Sequence, residues 1–306
     1  MQPIAKKHRQ KELGADLLFN VTVIVITLVT LGIVLYPLYL IIICSFSDPA
    51  LVASGKVTLY PRGITWSGYI AVFKNSELWH SFLNSVIYTV SGTLLSLAVT
   101  MGAAFNLYRK FPGKVLISFL FTFTMFFNGG LIPTFMTVRD LHLYNTPWIC
   151  ILMGCISVWN LMLARTYIKN TIPEALYEAA ELDGANQLQY FLYVVLPLSG
   201  TIIAVLSVYY GVGKWNDYWT GLIYIQKRSL LPLQTILKNL LASLESSRDL
   251  LMSMVNDTGE QDAELLNRAQ IAKYCIIVVS TVPAVMLYLC MQKFFVKGVM
   301  IGSVKG

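Results

Sequence analysis

Long apolar segments constrain this chain more than any other feature of its sequence. A helix needs about 20 apolar residues to cross the hydrocarbon core of a bilayer, and six segments satisfy that requirement. They are approximately Leu17–Cys44, Asn84–Tyr108, Val115–Val138, Pro147–Ile168, Phe191–Gly213 and Ile271–Phe295. The first is too long for a cleavable signal peptide and lacks a small-residue cleavage site. With 56% hydrophobic residues, the chain is predicted to be an all-α polytopic membrane protein with six transmembrane helices and no soluble domain.

Basic residues lie mainly at one set of span ends, and this asymmetry predicts the orientation in the membrane. Lysine and arginine are enriched in short cytosolic loops. Here they precede the first span, join the second to the third, and follow the fourth and sixth: Lys6, Lys7, Arg9, Lys11, Arg109, Lys110, Lys114, Arg165, Lys169, Lys293, Lys297 and Lys305. Both termini are therefore predicted to be cytosolic. The net charge is +7. Because many of the basic residues lie at these span ends, the charge does not indicate a nucleic-acid partner.

The predicted orientation divides the chain into regions. Residues 1–16 form a cytosolic N-terminal segment, residues 17–295 a six-helix transmembrane domain, and residues 296–306 a cytosolic C-terminal tail. The domain contains a cytosolic loop at 171–197 and an external segment at 214–270. Within the external segment, apolar residues from Leu233 to Leu244 recur every three or four positions, which predicts an amphipathic helix. It lies either on the bilayer surface or against the protein's own spans. Residues 246–268 are polar and are predicted to be exposed.

The cytosolic loop carries the most specific motif of the sequence. Glu178-Ala179-Ala180 is followed by Gly184 after three residues, and Leu196-Pro197 follows after eleven more. The alternative interpretation is an ordinary connector between two spans. A connector does not need this order of residues, and the order is rare.

Local signals predict two helices within the loop. Thr171 and Glu174 have the spacing of a capping box, and Pro173 suits a first helical turn, so a helix is predicted to begin near Ile172. Gly184 is predicted to end that helix, because glycine readily adopts the left-handed conformation found after helix ends. A second helix then enters the fifth span.

The loop and several other stretches resemble carbohydrate ABC-transporter permeases of the type I importer class, which are MalG-like and have the MetI-like fold. Within that class the resemblance is greatest to the LplC/YtcP oligosaccharide permease group. The matching stretches are FLNSVIYTV, Arg109 with FPGK, GGLIPTFMTVRDLHLYNT, the EAA loop, WNDYW and FVKGVMIGSVKG. They extend from about Leu18 to Gly306. Many relatives have a proline where this chain has Ser199-Gly200-Thr201, which leaves the local kink open.

The resemblance implies a membrane-spanning subunit of an ATP-driven importer, with no catalytic residues of its own. It implies four further subunits: a different, homologous permease, two ABC ATPase subunits and an extracytoplasmic solute-binding lipoprotein. ATP and Mg²⁺ would be bound by the ATPase and not by this chain. The residues that would couple to the ATPase are Glu178, Ala179, Ala180, Asp183 and Gly184. The implied location is a bacterial plasma membrane, with a Gram-positive source.

Uncharged polar and aromatic side chains are the candidates for a solute path. A break in a helix at membrane depth is tolerated only where protein or water surrounds it, and Asn128-Gly129-Gly130 predicts such a break. Aromatic faces with amide and hydroxyl groups suit an oligosaccharide, although aromatic residues also anchor spans at the membrane interface. The predicted path residues are Asn128, Gly129, Gly130, Asn160, Tyr209, Tyr210, Trp215, Asn216 and Trp219.

Other function classes fit less well. No charged residue lies in the middle of a span, which disfavours an ion-coupled secondary carrier because ion relays use such groups. A non-transport membrane scaffold would account for the amphipathic stretches but not for the interrupted spans. Nucleotide-binding, zinc and hydrolase motifs are absent from the sequence, and the five cysteines have no metal-ligand spacing. No metal site and no enzymatic activity are predicted.

Overall fold

The computed structural model describes residues 14–253, 271–290 and 292, and every regular element within these ranges is helical. The first helices are α1 (Gly14–Ser45), α2 (Pro49–Ala53), α3 (Ser67–Lys74), α4 (Ser76–Tyr108), α5 (Lys114–Phe126), α6 (Leu131–Asp140), α7 (Pro147–Leu152) and α8 (Val158–Thr171). They are followed by α9 (Glu174–Leu182), α10 (Gln187–Tyr190), a π-helix (Phe191–Val195), α11 (Leu196–Leu198), α12 (Gly200–Trp215), α13 (Trp219–Tyr224), a 3₁₀-helix (Arg228–Leu230), α14 (Leu233–Ser253) and α15 (Ile271–Cys290). The predicted C-terminal tail and most of the N-terminal segment lie outside the described residues.

Two compact units are distinguished within the described chain. The smaller comprises residues 14–68 and 271–275, and the larger comprises residues 69–253, 276–290 and 292. The larger unit holds the loop that carries the Glu-Ala-Ala motif.

The smaller unit is built around the end of α1. Ile43, Cys44 and Val57 are buried together against Leu51 and Tyr274. Earlier in α1 nearly every side chain is exposed and apolar. The hydroxyl groups of Thr22 and Thr27 donate to backbone carbonyls four residues earlier, at 2.8 and 2.7 Å. A helix that exposes an apolar surface and satisfies its polar groups internally is suited to hydrocarbon.

The larger unit is centred on α4, which packs against α7, α8, α12 and α14. Small residues allow helices to approach closely, and Ala104 of α4 and Ala164 of α8 are fully buried at this contact. Thr100 of α4 shares a 2.7 Å hydrogen bond with Tyr210 of α12. The remaining core residues are Met101, Phe105, Leu107, Leu161, Ile168, Ile172, Tyr190, Val195, Ile202 and Leu206.

Several of the six predicted segments consist of two or more shorter helices. In the described part of the chain, three helices are long and apolar enough to cross a membrane, or five if each of two bent helix pairs counts as one span. The pair α5–α6 bends by 117° and the pair formed by 187–198 and α12 bends by 80°. The predicted fourth span, Pro147–Ile168, consists of α7 and α8, because the chain leaves helical geometry between them and Gly154 has a φ of +67°.

The segment after α12 is bound to α4 and its neighbours by polar contacts. Asn84 donates to the carbonyls of Ser229 and Leu231 at 2.8 and 3.3 Å, and the Tyr88 hydroxyl donates to Leu230 at 3.1 Å. Arg228 forms an ion pair with Glu77 through two guanidinium nitrogens, and the Glu77 carboxylate raises the pKa of Arg228.

The amphipathic helix predicted from Leu233 to Leu244 is present as the first half of α14. Leu233, Ile236 and Leu237 are buried, and α14 packs against α4. Of the two interpretations, packing against the protein's own helices is therefore confirmed. Residues 254–268, which belong to the segment predicted to be exposed, lie outside the described residues.

Candidate functional site

Helix α9, which carries the Glu-Ala-Ala motif, has one face on the protein and one face exposed. Tyr177 and Ala180, three residues apart, pack on the core formed by α4, α8 and α12. Glu178 and Ala179 are exposed, and Leu182 is 89% exposed. A large apolar side chain and a carboxylate on the free face of a short helix form a surface that a second protein could cover.

The helix does not begin as the sequence predicted. Thr171 is the last residue of α8, Pro173 is the N-cap of α9, and no side chain caps the first turn. The capping box expected at Thr171 and Glu174 is therefore wrong, because α8 extends far enough to include the threonine. A capping box does occur in the loop, but it lies at α10, between Asn186 and Gln189.

The end of α9 agrees with the prediction. Gly184 has a φ of +73°, in the left-handed region. Its N–H donates to the carbonyl of Glu181 at 3.1 Å, and the N–H of Ala185 donates to Ala180 at 2.9 Å. These two bonds are those of a Schellman motif. Asp183 is the C-cap residue and is exposed. The motif thus sets the direction in which the chain leaves α9.

An aromatic cluster joins the inner face of α9 to the end of α4. The Arg109 guanidinium donates to the Tyr177 hydroxyl at 2.8 Å and lies 5.2 Å from the centre of its ring. The Tyr177 and Tyr190 rings meet edge to face at 5.2 Å, and Phe105 lies 5.1 Å from Phe191. We name these five residues the α4–α9 cluster. Sequence reasoning missed it, although Tyr177 adjoins the motif and lies three positions before Ala180.

The loop continues into α12 through non-standard helix geometry. Residues 191–195 wind as a π-helix, and π-helical turns occur frequently at functional sites. Leu196 and Pro197 follow in α11, and the chain then bends by 80° at the buried Ser199. A bend therefore exists at the position where many relatives have a proline.

A basic cavity of about 880 Å³ lies beside the loop. It is lined by the end of α4, the start of α5, the end of α8 and the start of α9, including Tyr177. Its charged lining residues are Arg109, Lys110, Lys114, Arg165, Lys169 and Glu174. Glu174 lies 3.7 Å from Lys110. One carboxylate among five basic side chains leaves the cavity with a strong positive charge.

The residues predicted for a solute path divide into an exposed group and a buried group. The break at 128–130 is present, and these three residues are exposed together with Tyr209, Asn216 and Trp219. Asn160 is 6% exposed, Tyr210 5% and Trp215 4%.

The buried group has contacts within the chain. The Tyr210 hydroxyl, besides its bond with Thr100, accepts the N–H of Ser157 at 3.2 Å, and the Trp215 indole donates to Ser280 at 2.9 Å. These contacts hold helices together. No observation tests which of the nine residues meet a solute, and that role stays a prediction.

Lys214 has a role that the sequence did not indicate. Its ammonium group donates to the carbonyls of Cys150 and Ile151 at 3.0 and 2.9 Å, and also to Met153. These carbonyls belong to the end of α7 and the residue that caps it, where a helix has no internal donors. The lysine stem passes over Gly92 of α4, where a Cβ atom would come within 3.1 Å of it. The lysine at which the predicted external segment begins thus caps a helix.

In the ranges described above, the histidine, cysteine and acidic side chains form no group able to hold a metal ion. All five cysteines are free thiols.

Comparisons with known proteins agree on one family. Residues 63–301 match the binding-protein-dependent transport system inner membrane component. From Bacillus subtilis (strain 168), the polygalacturonan/rhamnogalacturonan transport system permease protein YtcP is 36% identical over 88% of this chain and 92% of its own length. Protein LplC of the same organism is 32% identical over 99% of this chain and 100% of its own length.

A solved structure is similar across almost the whole chain. It belongs to a bacterial ABC transporter involved in the import of the acidic polysaccharide alginate. The TM-score is 0.81 and the identity is 28%, over 96% of this chain and 100% of the other. The resemblance inferred from the loop with the Glu-Ala-Ala motif and from the other matching stretches is thereby confirmed. The chain belongs to the family of binding-protein-dependent transport system inner membrane components, and it is a permease subunit of an ABC importer, not an enzyme.

Proposed function

We propose that this chain forms half of the translocation path of an oligosaccharide importer and pairs with a different, homologous permease. Two ATPase subunits, which would bind ATP and Mg²⁺, and an extracytoplasmic solute-binding lipoprotein complete the proposed assembly. The names of the relatives, which refer to polygalacturonan and rhamnogalacturonan, and of the structural neighbour, which refers to alginate, support a saccharide as the solute. The residues contributed to coupling are Glu178, Ala179, Ala180, Asp183 and Gly184.

The two-sided character of α9 is the observation that supports this coupling role. Its outer face, with Glu178 and Leu182, is free for the ATPase. Its inner face is attached to α4 through Tyr177 and Arg109. When the ATPase subunits close on ATP, a pull on the outer face would reach α4 through this attachment. In this proposal α12 would change its angle relative to the loop at Ser199, where the chain already bends by 80°.

The proposed solute path is uncharged and polar. Tyr209, Asn216 and Trp219 present exposed hydroxyl, amide and ring groups, and the break at 128–130 exposes backbone that needs polar surroundings. Such groups hold a sugar weakly, which suits solute handed on by a tight external binding protein. The buried residues Asn160, Tyr210 and Trp215 would support the path from behind.

A charge reversal on the free face of α9 tests the proposal. We expect Glu178→Lys to bring the solute-stimulated ATPase activity of the reconstituted complex down to its basal level, because opposed like charges at an interface cost several kcal/mol. Asp140→Lys, a charge reversal at another exposed residue, at the end of α6, is the matched control and should keep full stimulation. Full stimulation in the Glu178→Lys complex would remove α9 as the docking element.

The proposed topology places both termini and α9 in the cytosol of a Gram-positive plasma membrane, with 214–270 outside. Basic-residue density supports it. In a cysteine-free background, a membrane-impermeant thiol reagent applied to intact cells should label Ser247→Cys and leave Ser303→Cys unlabelled. The reverse pattern would invert the topology.

A further inference from the structure

The basic cavity beside α9 shares Arg109 and Tyr177 with the coupling just described, but its other basic residues have no part in it. We propose that it binds the phosphate headgroup of an anionic membrane lipid. The proposal rests on the proposed topology only for which leaflet supplies the lipid.

The cavity has a high density of positive charge. Arg109, Lys110, Lys114, Arg165 and Lys169 all line the same cavity. Three of them have oxygen partners: Arg109 donates to the Tyr177 hydroxyl, Lys114 donates to the Tyr108 carbonyl at 3.0 Å, and Lys110 lies near Glu174. In the part of the chain that the structure describes, neither Arg165 nor Lys169 has a carboxylate within 4.0 Å. Several like charges held around one space favour an anion with more than one acceptor oxygen.

The cavity also borders an exposed apolar surface. Lys114 is the first residue of α5 and lines the cavity. Directly after it, Val115 is 83% exposed and Leu116 is also exposed. A phosphate held by the lysine would leave attached acyl chains beside this surface. An occupant with a charged head and apolar chains satisfies both features, whereas a soluble anion satisfies only the first. Basic pockets between membrane helices are established sites for such headgroups.

The cavity and the surface proposed for the ATPase involve different residues of α9. The α9 residues that line the cavity are Glu174 and Tyr177. Glu178, Ala179 and Leu182, which form the free face, are not among the lining residues. A lipid headgroup in the cavity therefore leaves that face available.

The test measures lipid binding to the purified full-length chain in detergent. Native mass spectrometry would count bound phosphatidylglycerol and, separately, phosphatidylcholine with the same acyl chains. We expect the chain to retain phosphatidylglycerol and to release phosphatidylcholine. Arg165→Gln/Lys169→Gln should weaken phosphatidylglycerol binding about 30-fold, which corresponds to about 2 kcal/mol for two basic groups. Lys169→Gln alone, at an exposed side chain, should weaken it about fivefold.

Arg139→Gln/Lys56→Gln is the matched control, because it removes one arginine and one lysine that are exposed elsewhere. It should bind phosphatidylglycerol like the wild type. Equal binding by all variants would overturn the proposal, and loss of ATPase co-purification in that case would assign the cavity to the ATPase. An equal loss in the control would reduce the effect to general charge. Full displacement by inorganic phosphate would make it a soluble-anion site and also overturn the proposal. None of these outcomes depends on transport, so the proposed function stands or fails separately.

Discussion

The two ends of α4 are attached to the larger unit by different kinds of contact. At the N-terminal end, Asn84, Ser85 and Tyr88 bond to backbone groups between Ser229 and Leu233. At the C-terminal end, the attachment to α9 and α10 is the α4–α9 cluster, with ring contacts and one hydrogen bond from Arg109. The cluster and Asn84 are separated by roughly 35 Å along the helix, at 1.5 Å per residue.

The difference concerns how much movement each attachment tolerates. Hydrogen bonds weaken steeply as their angle changes, so several of them to fixed backbone groups hold one arrangement. Aromatic rings keep favourable contact over a range of tilts and distances. We therefore expect the N-terminal end of α4 to be rigid and the C-terminal end to follow α9 as it tilts. This is the arrangement that a subunit driven from one side requires.

The largest effect should come from removing the cap of α7, which packs against α4. Lys214→Met removes the ammonium group that caps α7 and leaves its carbonyls without a charged donor. Unsatisfied polar groups that are largely buried cost about 1–3 kcal/mol each, so we expect a loss of about 3 kcal/mol. The apparent melting temperature of the purified protein in detergent should fall by roughly 5–10 °C.

Lys227→Met is the control for this experiment. Lys227 is exposed, and exposed substitutions usually change stability by less than about 0.5 kcal/mol. A melting temperature for Lys214→Met within that margin would mean that the end of α7 is held by other groups.

A smaller effect should come from the C-terminal end of α4. In a double-mutant cycle, the effects of Arg109→Ala and Tyr177→Ala on the free energy of unfolding should be non-additive by about 1–2 kcal/mol. The reason is that the pair combines a charged hydrogen bond with a cation–π contact. Each variant should also lower solute-stimulated ATPase activity and leave basal activity unchanged. Tyr177→Phe keeps the ring and should retain most of the stimulation. Additive effects in the cycle would show that the two side chains do not act together.

The smallest effect separates the turn after α9 from a helical glycine in α4. Gly184→Ala places a side chain at a φ of +73° in open space, and the left-handed conformation alone costs about 1 kcal/mol. Gly102→Ala, in the interior of α4 and also in open space, should stabilise by about 0.5–1 kcal/mol. Thermal unfolding of both variants under one condition measures the difference. Shifts of the same sign would mean that the turn does not constrain α9.

Those parts of the fold that depend on local sequence were predictable. Gly184 ends α9 because its conformation depends on its own backbone and on two local hydrogen bonds, made by its N–H and by that of Ala185. The spacing from Leu233 fixed the buried face of α14 because a helix repeats every 3.6 residues. The break at Asn128-Gly129-Gly130 follows likewise from residues that resist helix formation.

What the sequence could not predict depends on distant partners. Pro147–Ile168 has the composition of one span, but the ammonium group of Lys214 stabilises a helix end in its middle. Trp215 resembles an interfacial or solute-binding residue by type, yet a carbonyl of α15 and the ring of Phe82 bury it. The capping box at Thr171 failed because two adjacent helices competed for the same residue, and spacing alone did not indicate which would extend further.

The sharp turn between α5 and α6 has a consequence for biosynthesis. Residues 127–130 leave helical hydrogen bonding and are exposed, between two helices that differ in direction by 117°. In a chain inserted alone, lipid would surround these backbone groups and could not form hydrogen bonds with them. We expect such an orphan subunit to be short-lived and degraded by membrane proteases until its partner arrives. If the chain pairs with a second permease as proposed, matched production of the two subunits, for example from adjacent reading frames, would be a requirement of the fold itself.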